Sequence, residues 1–522
     1  NEVPEEYFAP LDPTGRRVDV AMRPELRCGT VDIIAGPEYN LRPQTVACRL
    51  FFLIDASRAA VQSGAFRASI EAVRTVVHSS DAQALYSHFA LATFDRTVHF
   101  YNLQDGRKDA EAVVMTDLAD PFLPLGPKAL FFASNSAQAT VDGLLNNLLS
   151  LFQDTRVVES CLGSAVAVAV EALKTTGGKV FVFASSLPSI SLGACKLRSE
   201  VSAPENKPNP MLLPQSDYYK KLAEGAASNG ISISLSLSPV SHIDLATLVD
   251  MSSATGGSFS MYSKFSPDMA DHVKEDCLAK LCCPFVYDCM GKVRCGEGLQ
   301  VGEYFGPFAP SSKSDIQFGQ LAADQSFAVT LQYDGKLIEN EPTGIQCAIL
   351  HTTPSGQRRI RVINLALPCT RNPLDVFRTC DFEAITSCLS KQAVFKIREY
   401  SLAQVSSQIV SRVSYCLAAY RKLAANNVSA AQLILPEELR LLPLFLLSIL
   451  KGNGLAPNTT TSDARMAGFR LMQDLPNDLM FGHFYPRLIN LLTFADNPML
   501  LRLTRESLDR RGIFLLGTTR IC

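Results

Sequence analysis

An acidic residue closes an apolar segment in the stretch RLFFLIDASRAAVQSG, which runs from Arg49 to Gly64. The segment has the pattern of a buried strand, and Asp55 ends it with Ser57 two residues later. A carboxylate and a hydroxyl at the end of a buried strand could hold Mg²⁺, which takes about six oxygen ligands in near-octahedral geometry. The stretch therefore raises the question of whether Asp55 holds an ion or has a structural role.

An aspartate at the end of the first strand of a parallel sheet resembles the von Willebrand factor A-like fold. That resemblance implies a D-x-S-x-S motif whose metal site is completed by oxygen ligands from two more loops. Here Ala59 replaces the last serine, and Ser185 and Ser186 follow the strand KVFVFA where a carboxylate is required. We therefore expect no metal in this chain and expect Asp55 to accept backbone N–H bonds at the start of the next helix. The alternative is a metal-dependent von Willebrand A-type ligand-binding module.

A second group of residues with chemical potential is the basic stretch QRRIRVIN, which contains Arg358, Arg359 and Arg361. Side chains of a strand alternate between its two faces, so Arg359 and Arg361 share one face. Two guanidinium groups on one face suit a carboxylate, because each can form charge-assisted, bidentate hydrogen bonds. The pattern predicts a site that flanks one acidic side chain. The alternative is a solvated edge strand whose charges prevent aggregation.

The composition limits the classes of function. The chain has 522 residues, of which 47% are hydrophobic and 19% charged, with a formal net charge of -2. This balance gives no global electrostatic case for nucleic acid as a partner. None of the seven histidines lies in a G-x-S-x-G or Cys/His signature, so we expect no enzymatic activity. The cysteines of CLAKLCCPFVYDCMGKVRC lack the closely paired spacing of zinc ligands, which favours ordinary reduced thiols.

The elements that position these residues begin with strands that alternate with helices from Val46 to about Lys280. A helical period follows the first strand, with apolar residues at Phe66, Ile70 and Val73. Such alternation is typical of a parallel sheet with helices on both faces. The predicted strands are Val46–Ile54, Phe89–Phe94, Lys179–Ala184, Ile231–Leu237 and Ser258–Tyr262.

The rest of the chain has different patterns. Residues 284–370 contain short alternating runs such as SFAVTLQY and GIQCAILHTT, which predict a small antiparallel sandwich or barrel. Residues 371–474 show helical periodicity, clearest in AVFKIREYSLAQVSSQIVSRVSYCLAAYRKL. Residues 475–522 have the pattern of α/β pieces. The fold class is therefore predicted to be multidomain α/β.

Five stretches, in order along the chain, resemble one family. They are NEVPEEYFAPLDPTGRRVDVAMRPELRCGTVDI, FFLIDASRAAVQSG, SGQRRIRVINLALPC, SAAQLILPEELRLLPLFLLSILK and FYPRL. They are similar to the cargo-adaptor subunit of the inner COPII vesicle coat. In that family a zinc finger, a von Willebrand A-like trunk, a β-sandwich, a helical domain and a gelsolin-like domain form one elongated molecule.

The resemblance implies a division of this chain into domains. The sequence begins after the family's zinc finger and ends soon after the gelsolin-like domain begins, so zinc is expected only in the missing finger and no cofactor is expected here. The implied domains are 1–45, the N-terminal part of the β-sandwich; 46–283, the trunk; 284–370, the β-sandwich; 371–474, the helical domain; and 475–522, a partial gelsolin-like domain.

The resemblance also implies a function and a site. The family binds cytosolic sorting signals of membrane cargo and fusion proteins for transport from the endoplasmic reticulum to the Golgi, and several of these signals are acidic. Arg359 and Arg361 match the acidic-signal pocket by position, and Arg23 and Arg17 are expected to join them from the N-terminal segment. The stretch LDPTGRRVDVAMRPEL favours the branch that also accepts Ile-x-Met-like signals.

The partners implied are those of a coat subunit. They are the GTPase-activating inner-coat subunit as a heterodimer partner, the anionic surface of the endoplasmic reticulum membrane and, indirectly, the outer-coat cage. The basic stretch LRLTRESLDRRG is a candidate membrane contact, with a solvated helix face as the alternative. The expected location is the cytosol and the cytoplasmic face of the endoplasmic reticulum membrane and of COPII vesicles.

Overall fold

The computed structural model describes most of the chain. The first residue of the first predicted strand, Val46, lies outside the described residues, as do residues 1–9 and 518–522, which belong to the predicted terminal domains. The described residues are 10–14, 17–40, 47–103, 110–133, 138–200, 206–310, 315–424, 432, 434–456, 461–493 and 500–517.

The N-terminal segment and the trunk supply the first nine strands. Helix α1 (Pro24–Arg27) and strand β1 (Thr30–Ile34) precede the trunk. The trunk strands form one sheet in the order β5-β4-β3-β2-β7-β8-β9, with β6 beside β3. They are β2 (Arg49–Asp55), β3 (His88–Phe94), β4 (Val98–Asn102), β5 (Glu111–Met115), β6 (Phe132–Ala133), β7 (Gly178–Ala184), β8 (Ile231–Leu237) and β9 (Phe259–Met261).

The five strands predicted from the sequence are β2, β3, β7, β8 and β9, and they pair in parallel as expected. The sheet is nevertheless mixed, because β4, β5 and β6 join it antiparallel. Alternate residues of β2 enter different cores: Phe51 and Leu53 face one, and Leu50 and Phe52 face the other. Both faces of the sheet are therefore covered, as predicted for a parallel core.

Helices pack on both faces of this sheet. In α3 the predicted face is confirmed, since Phe66, Ile70 and Val73 are buried. The trunk helices are α2 (Arg58–Ser63), α3 (Ala65–His78), α4 (Ser80–Leu85), α5 (Pro127–Leu130), α6 (Gln138–Leu151), α7 (Leu162–Leu173), α8 (Tyr218–Ser228), α9 (Leu245–Thr255) and α10 (Ala270–Cys282).

The next domain is antiparallel, as predicted. A six-stranded sheet has the order β1-β16-β15-β10-β13-β12, and a separate ribbon pairs β11 with β14. The N-terminal strand β1 is thus part of this sheet, although it lies some 330 residues away in the chain from β16. The strands are β10 (Phe285–Cys295), β11 (Leu299–Phe305), β12 (Ala309–Pro310), β13 (Asp315–Ala322), β14 (Ala328–Tyr333), β15 (Pro342–Thr352) and β16 (Arg358–Pro368).

A helical domain follows, and then a small α/β piece. The last two strands pair antiparallel. Together with the trunk and the sandwich, these elements confirm the predicted fold class, while the exact domain boundaries stay predictions. The elements are α11 (Pro373–Arg378), α12 (Phe382–Lys396), α13 (Leu402–Ala424), α14 (Leu442–Lys451), α15 (Ser462–Asp474), α16 (Asn477–Phe484), β17 (Arg487–Asn490) and β18 (Phe514–Gly517).

The trunk, sandwich and helical domains are in close contact. A Cβ at Gly319 of β13 would lie 2.1 Å from the carbonyl oxygen of Ile231 in trunk strand β8. Asp463 in the first turn of α15 accepts hydrogen bonds from the backbone N–H groups of Ile243 and Leu245 in the trunk, each at 2.8 Å. Buried contacts of this kind make the three domains one continuous body.

The cysteines of the described residues are distributed between buried and partly exposed positions. The 14 cysteines among the described residues are all free thiols. Several are buried, and burial raises the pKa of the Cys48 thiol to about 12. Such thiols are inert and are part of the packing.

Within the described part of the chain, no helix combines the length and the hydrophobicity needed to cross a lipid bilayer.

Candidate functional site

The carboxylate of Asp55 is buried at the end of β2, with 2% of the residue exposed. Its Oδ1 accepts a hydrogen bond from the backbone N–H of Ser57 at 2.9 Å, and Ser57 is the N-cap of α2. Its Oδ2 accepts from the backbone N–H groups of Ser185 and Ser186 at 2.9 and 3.0 Å and from the Ser186 hydroxyl at 2.7 Å. The hydrogen-bonding role predicted for Asp55 is confirmed, and the two serines after β7 supply most of the donors.

The groups around Asp55 do not fit a divalent cation. Mg²⁺ needs oxygen atoms that present lone pairs, whereas three of the four bonds to this carboxylate come from backbone N–H groups. The dipoles of these N–H groups point at Asp55 and stabilise its negative charge without a cation. The donor set therefore favours a structural role for Asp55.

We expect Asp55→Ala to lower the free energy of unfolding by about 3 kcal/mol, because a buried donor without an acceptor costs about 1–3 kcal/mol. Urea unfolding followed by circular dichroism measures the change. The control is Asp120→Ala, an exposed trunk carboxylate, which is expected to change stability by less than about 0.5 kcal/mol. A rise in the unfolding midpoint on adding Mg²⁺ that Asp55→Ala abolishes would support the metal alternative instead.

Arg359 and Arg361 lie on β16, the strand next to the edge of the sandwich sheet. The edge position belongs to β1, which pairs with β16 antiparallel. The alternative in which these charges protect an exposed edge is therefore wrong. The predicted common face is confirmed, because both guanidinium groups reach one carboxylate, that of Asp32 on β1.

Asp32 occupies the position predicted for an acidic side chain between the two arginines. Arg361 donates two parallel hydrogen bonds to it, from Nε to Oδ1 at 2.9 Å and from Nη2 to Oδ2 at 2.6 Å. Nη1 of Arg359 lies 3.7 Å from the same Oδ2, and its Nε donates to Oε1 of Gln357 at 2.8 Å. The hydrogen bonds from Arg361 lower the pKa of Asp32, and Asp32 in turn raises the pKa of Arg361.

Arg17 and Arg23 form a second cluster, around Asp19. Arg17 donates from Nε and Nη2 to the two carboxylate oxygens, each at 2.8 Å. Arg23 donates from Nε to Oδ2 of Asp19 at 3.2 Å, and its Nη1 lies 3.4 Å from Oε1 of Glu25. These bonds, chiefly those from Arg17, lower the pKa of Asp19 to about 2. The four predicted arginines thus lie in two pairs, each around a carboxylate of the chain itself.

Helix α1 connects the segment that carries Arg17 and Arg23 to the sandwich sheet. Nδ2 of Asn364 on β16 donates to the carbonyl oxygens of Glu25 and Cys28 at 2.6 and 3.0 Å. The N-terminal segment is therefore held against the strand that carries Arg359 and Arg361. No hydrogen bond or ion pair between described residues joins one arginine pair directly to the other.

An apolar stripe continues the exposed side of β16. Ile363, Leu365 and Leu367 follow Arg359 and Arg361 at the same two-residue spacing, and they are 39%, 53% and 37% exposed. We call these five side chains the exposed β16 face. Cationic at one end and apolar at the other, it suits an extended segment that carries both acidic and apolar side chains.

Of two further residues near this face, one was not identified from the sequence and the other was named there without a role. Asp32 was missed, because its role depends on the pairing of β1 with β16. Arg358 lies one position out of phase with Arg359 and is buried, with Nη1 donating to the Asp288 carbonyl at 2.5 Å and to Oγ1 of Thr352 at 2.8 Å. The period-two pattern already separated Arg358 from the other two arginines, and this separation is the only sequence signal for its structural role.

Models of three domains from one family match consecutive parts of the chain. The Sec23/Sec24 trunk domain matches residues 46–280, the Sec23/Sec24 beta-sandwich domain residues 286–370, and the Sec23/Sec24 helical domain residues 381–480. The chain belongs to the Sec23/Sec24 family. The resemblance found in the sequence is thereby confirmed.

Within the Sec23/Sec24 family the chain is similar to Sec24 proteins. It is 35% identical to protein transport protein SEC24 B of Arabidopsis thaliana and 31% identical to protein transport protein Sec24C of Homo sapiens, each over 99% of this chain and 48% of the relative. The crystal structure of the human COPII-coat protein Sec24c matches with a TM-score of 0.88 at 29% identity, over 99% of this chain and 69% of that chain. The chain spans about half the length of the curated relatives it matches.

Proposed function

We propose that this chain is the part of a COPII cargo adaptor that binds cytosolic sorting signals during transport from the endoplasmic reticulum to the Golgi. Its similarity to Sec24 proteins over 99% of its length supports this function. The observation that carries the proposal is the convergence of Arg359 and Arg361 on one carboxylate, that of Asp32, at an exposed sheet face. A carboxylate of the chain fits between these arginines, so a carboxylate of a signal has suitable chemistry for the same position.

The exposed β16 face suits an extended, acidic peptide. A hydrogen bond to a charged group contributes about 1.5–3 kcal/mol, so two or three such bonds suffice for weak, reversible binding. The apolar stripe beyond the arginines accommodates apolar side chains of the same peptide, which fits the Ile-x-Met-like signals that the sequence favours. Arg17 and Arg23 extend the cationic surface from the N-terminal segment, which α1 holds against β16.

Weak binding is adequate for an adaptor that works in an array. Many copies on one membrane raise the effective concentration of binding sites without any new contact. The proposed partners are cargo and fusion-protein tails, a Sec23-type GTPase-activating subunit, the anionic endoplasmic reticulum membrane and, indirectly, the outer-coat cage. The proposed location is the cytosol and the cytoplasmic face of the endoplasmic reticulum and of its vesicles. The proposed role is binding rather than catalysis.

A co-purification experiment tests the assignment to the inner coat. We expect the chain to form a stable complex with a Sec23-type subunit, recovered as a single peak of two chains in size-exclusion chromatography with light scattering. The control is a second preparation of the chain alone, which is expected to elute as a separate, smaller species. Two independent peaks at micromolar concentrations of both proteins would contradict the proposed partnership.

A further inference from the structure

We propose that Asp32 is a specificity-determining residue that lowers the affinity of the exposed β16 face for acidic signals. This inference rests on the proposed function, because it concerns the same two arginines. Asp32 is paired with Arg361 in the antiparallel register of β1 and β16. Side chains that lie directly opposite each other in such a pair are close neighbours on one face. The strand pairing itself therefore holds the carboxylate beside the guanidinium group.

Asp32 occupies the edge of Arg361 that a signal would use best. A guanidinium group binds a carboxylate most favourably through two parallel bonds from one edge. Asp32 takes the edge formed by Nε and Nη2, at 2.9 and 2.6 Å. A second carboxylate must displace Asp32 or bind the remaining N–H groups beside a like charge. Either route weakens the binding of an acidic signal relative to a site without Asp32.

The charges of Arg359, Arg361 and Asp32 lead to the same expectation. Arg359 and Arg361 contribute two positive charges and Asp32 one negative charge, so the net charge is +1. Asp32→Asn raises it to +2 and leaves the size of the side chain unchanged. The side chains are 35%, 49% and 25% exposed, so solvent screening limits the effect to a few-fold change in affinity. An apolar signal that uses only the stripe of Ile363, Leu365 and Leu367 is not subject to this competition.

The test compares Asp32→Asn with the unaltered protein by fluorescence anisotropy. The probes are a labelled peptide that contains Asp-x-Glu and the same peptide with Asn-x-Gln. We expect Asp32→Asn to bind the acidic peptide about threefold more tightly and the amide peptide with unchanged affinity. The matched control is Asp271→Asn on trunk helix α10, which removes a carboxylate from an exposed ion pair with Lys274 at 2.6 Å and is expected to change neither affinity.

The outcomes distinguish a failure of this inference from a failure of the proposed function. If the unaltered protein binds the acidic peptide and Asp32→Asn binds it equally or more weakly, the inference is overturned and the proposed function stands. If neither protein binds it, both are overturned. A gain that persists when Arg359→Ala and Arg361→Ala are added to Asp32→Asn would also overturn the inference, because the gain would then not depend on the arginines. Thermal unfolding of each variant checks that β1 remains paired.

Discussion

Arg470→Ala is expected to lower the free energy of unfolding by about 3–5 kcal/mol, the range observed when one partner of a buried ion pair is removed. Arg470 is 1% exposed and lies where α15 packs on the trunk. It forms an ion pair with Asp474, and it donates from Nε to Oγ of Ser252 at 3.2 Å and from Nη2 to the carbonyl oxygen of Gly257 at 2.9 Å. The substitution leaves a cavity and removes the donors of all three acceptors at the junction of the trunk and the helical domain.

Guanidinium chloride unfolding, monitored by fluorescence or circular dichroism, measures this change. The matched control is Arg371→Ala, since the Arg371 side chain is 84% exposed and forms a surface ion pair with Glu339 at 3.1 Å. Such exposed pairs contribute about 0–1 kcal/mol, so the control is expected to unfold almost as the unaltered protein does. A loss of less than 1 kcal/mol for Arg470→Ala would mean that the helical domain does not depend on this junction.

The double substitution Arg359→Ala with Arg361→Ala is expected to weaken the binding of an acidic sorting peptide by at least about tenfold. The two side chains supply the charge-assisted donors on the exposed β16 face, and each such bond is worth about 1.5–3 kcal/mol. Removing them also leaves Asp32 without its counter-ions, so the remaining charge of the cluster repels the peptide. Stability is expected to change by no more than about 1 kcal/mol, because both side chains are solvent-exposed in part.

Fluorescence anisotropy with the Asp-x-Glu peptide measures this loss. The matched control is Arg371→Ala with Arg378→Ala, two exposed arginines that pair with Glu339 and Asp375 and lie outside the exposed β16 face. The control variant is expected to bind as tightly as the unaltered protein. Equal affinity in Arg359→Ala with Arg361→Ala would remove these two residues from the site.

The fold was predictable where the physical signal is local. Strands β2, β3 and β7 of the trunk are largely apolar runs, as expected when both faces of a strand are buried, and such runs can be recognised in the sequence alone. Strand β8 alternates apolar residues with buried serines, and this period of two also indicates a strand. The antiparallel strands β4 and β5 were missed. Polar residues such as His99 and Asn102 interrupt the apolar pattern of β4, and β5 lies at the edge of the sheet, where burial on one face is incomplete. The sequences of β4 and β5 therefore do not by themselves predict strands, because these strands depend on pairing with their neighbours in the sheet.

The candidate site, like the fold, could be predicted from the sequence only where its pattern is local. The period of two placed Arg359 and Arg361 on one face and separated Arg358 from them, since alternation is a local property of any strand. Asp32 could not be assigned, because its position beside Arg361 results from the pairing of β1 with a strand more than 300 residues later. In the same way, the sequence shows that no carboxylate follows β7. It does not show that the backbone N–H groups of Ser185 and Ser186 donate hydrogen bonds to Asp55.

The most direct test of the central claim is the affinity of the unaltered chain for an acidic sorting signal. In an anisotropy titration, the Asp-x-Glu peptide is expected to bind reversibly in the micromolar range or weaker, and the Asn-x-Gln peptide at least about tenfold more weakly, because only the first offers carboxylates to the arginines. Equal affinity for the two peptides, or no binding of either, would contradict the assignment of the exposed β16 face as a site for acidic cargo signals.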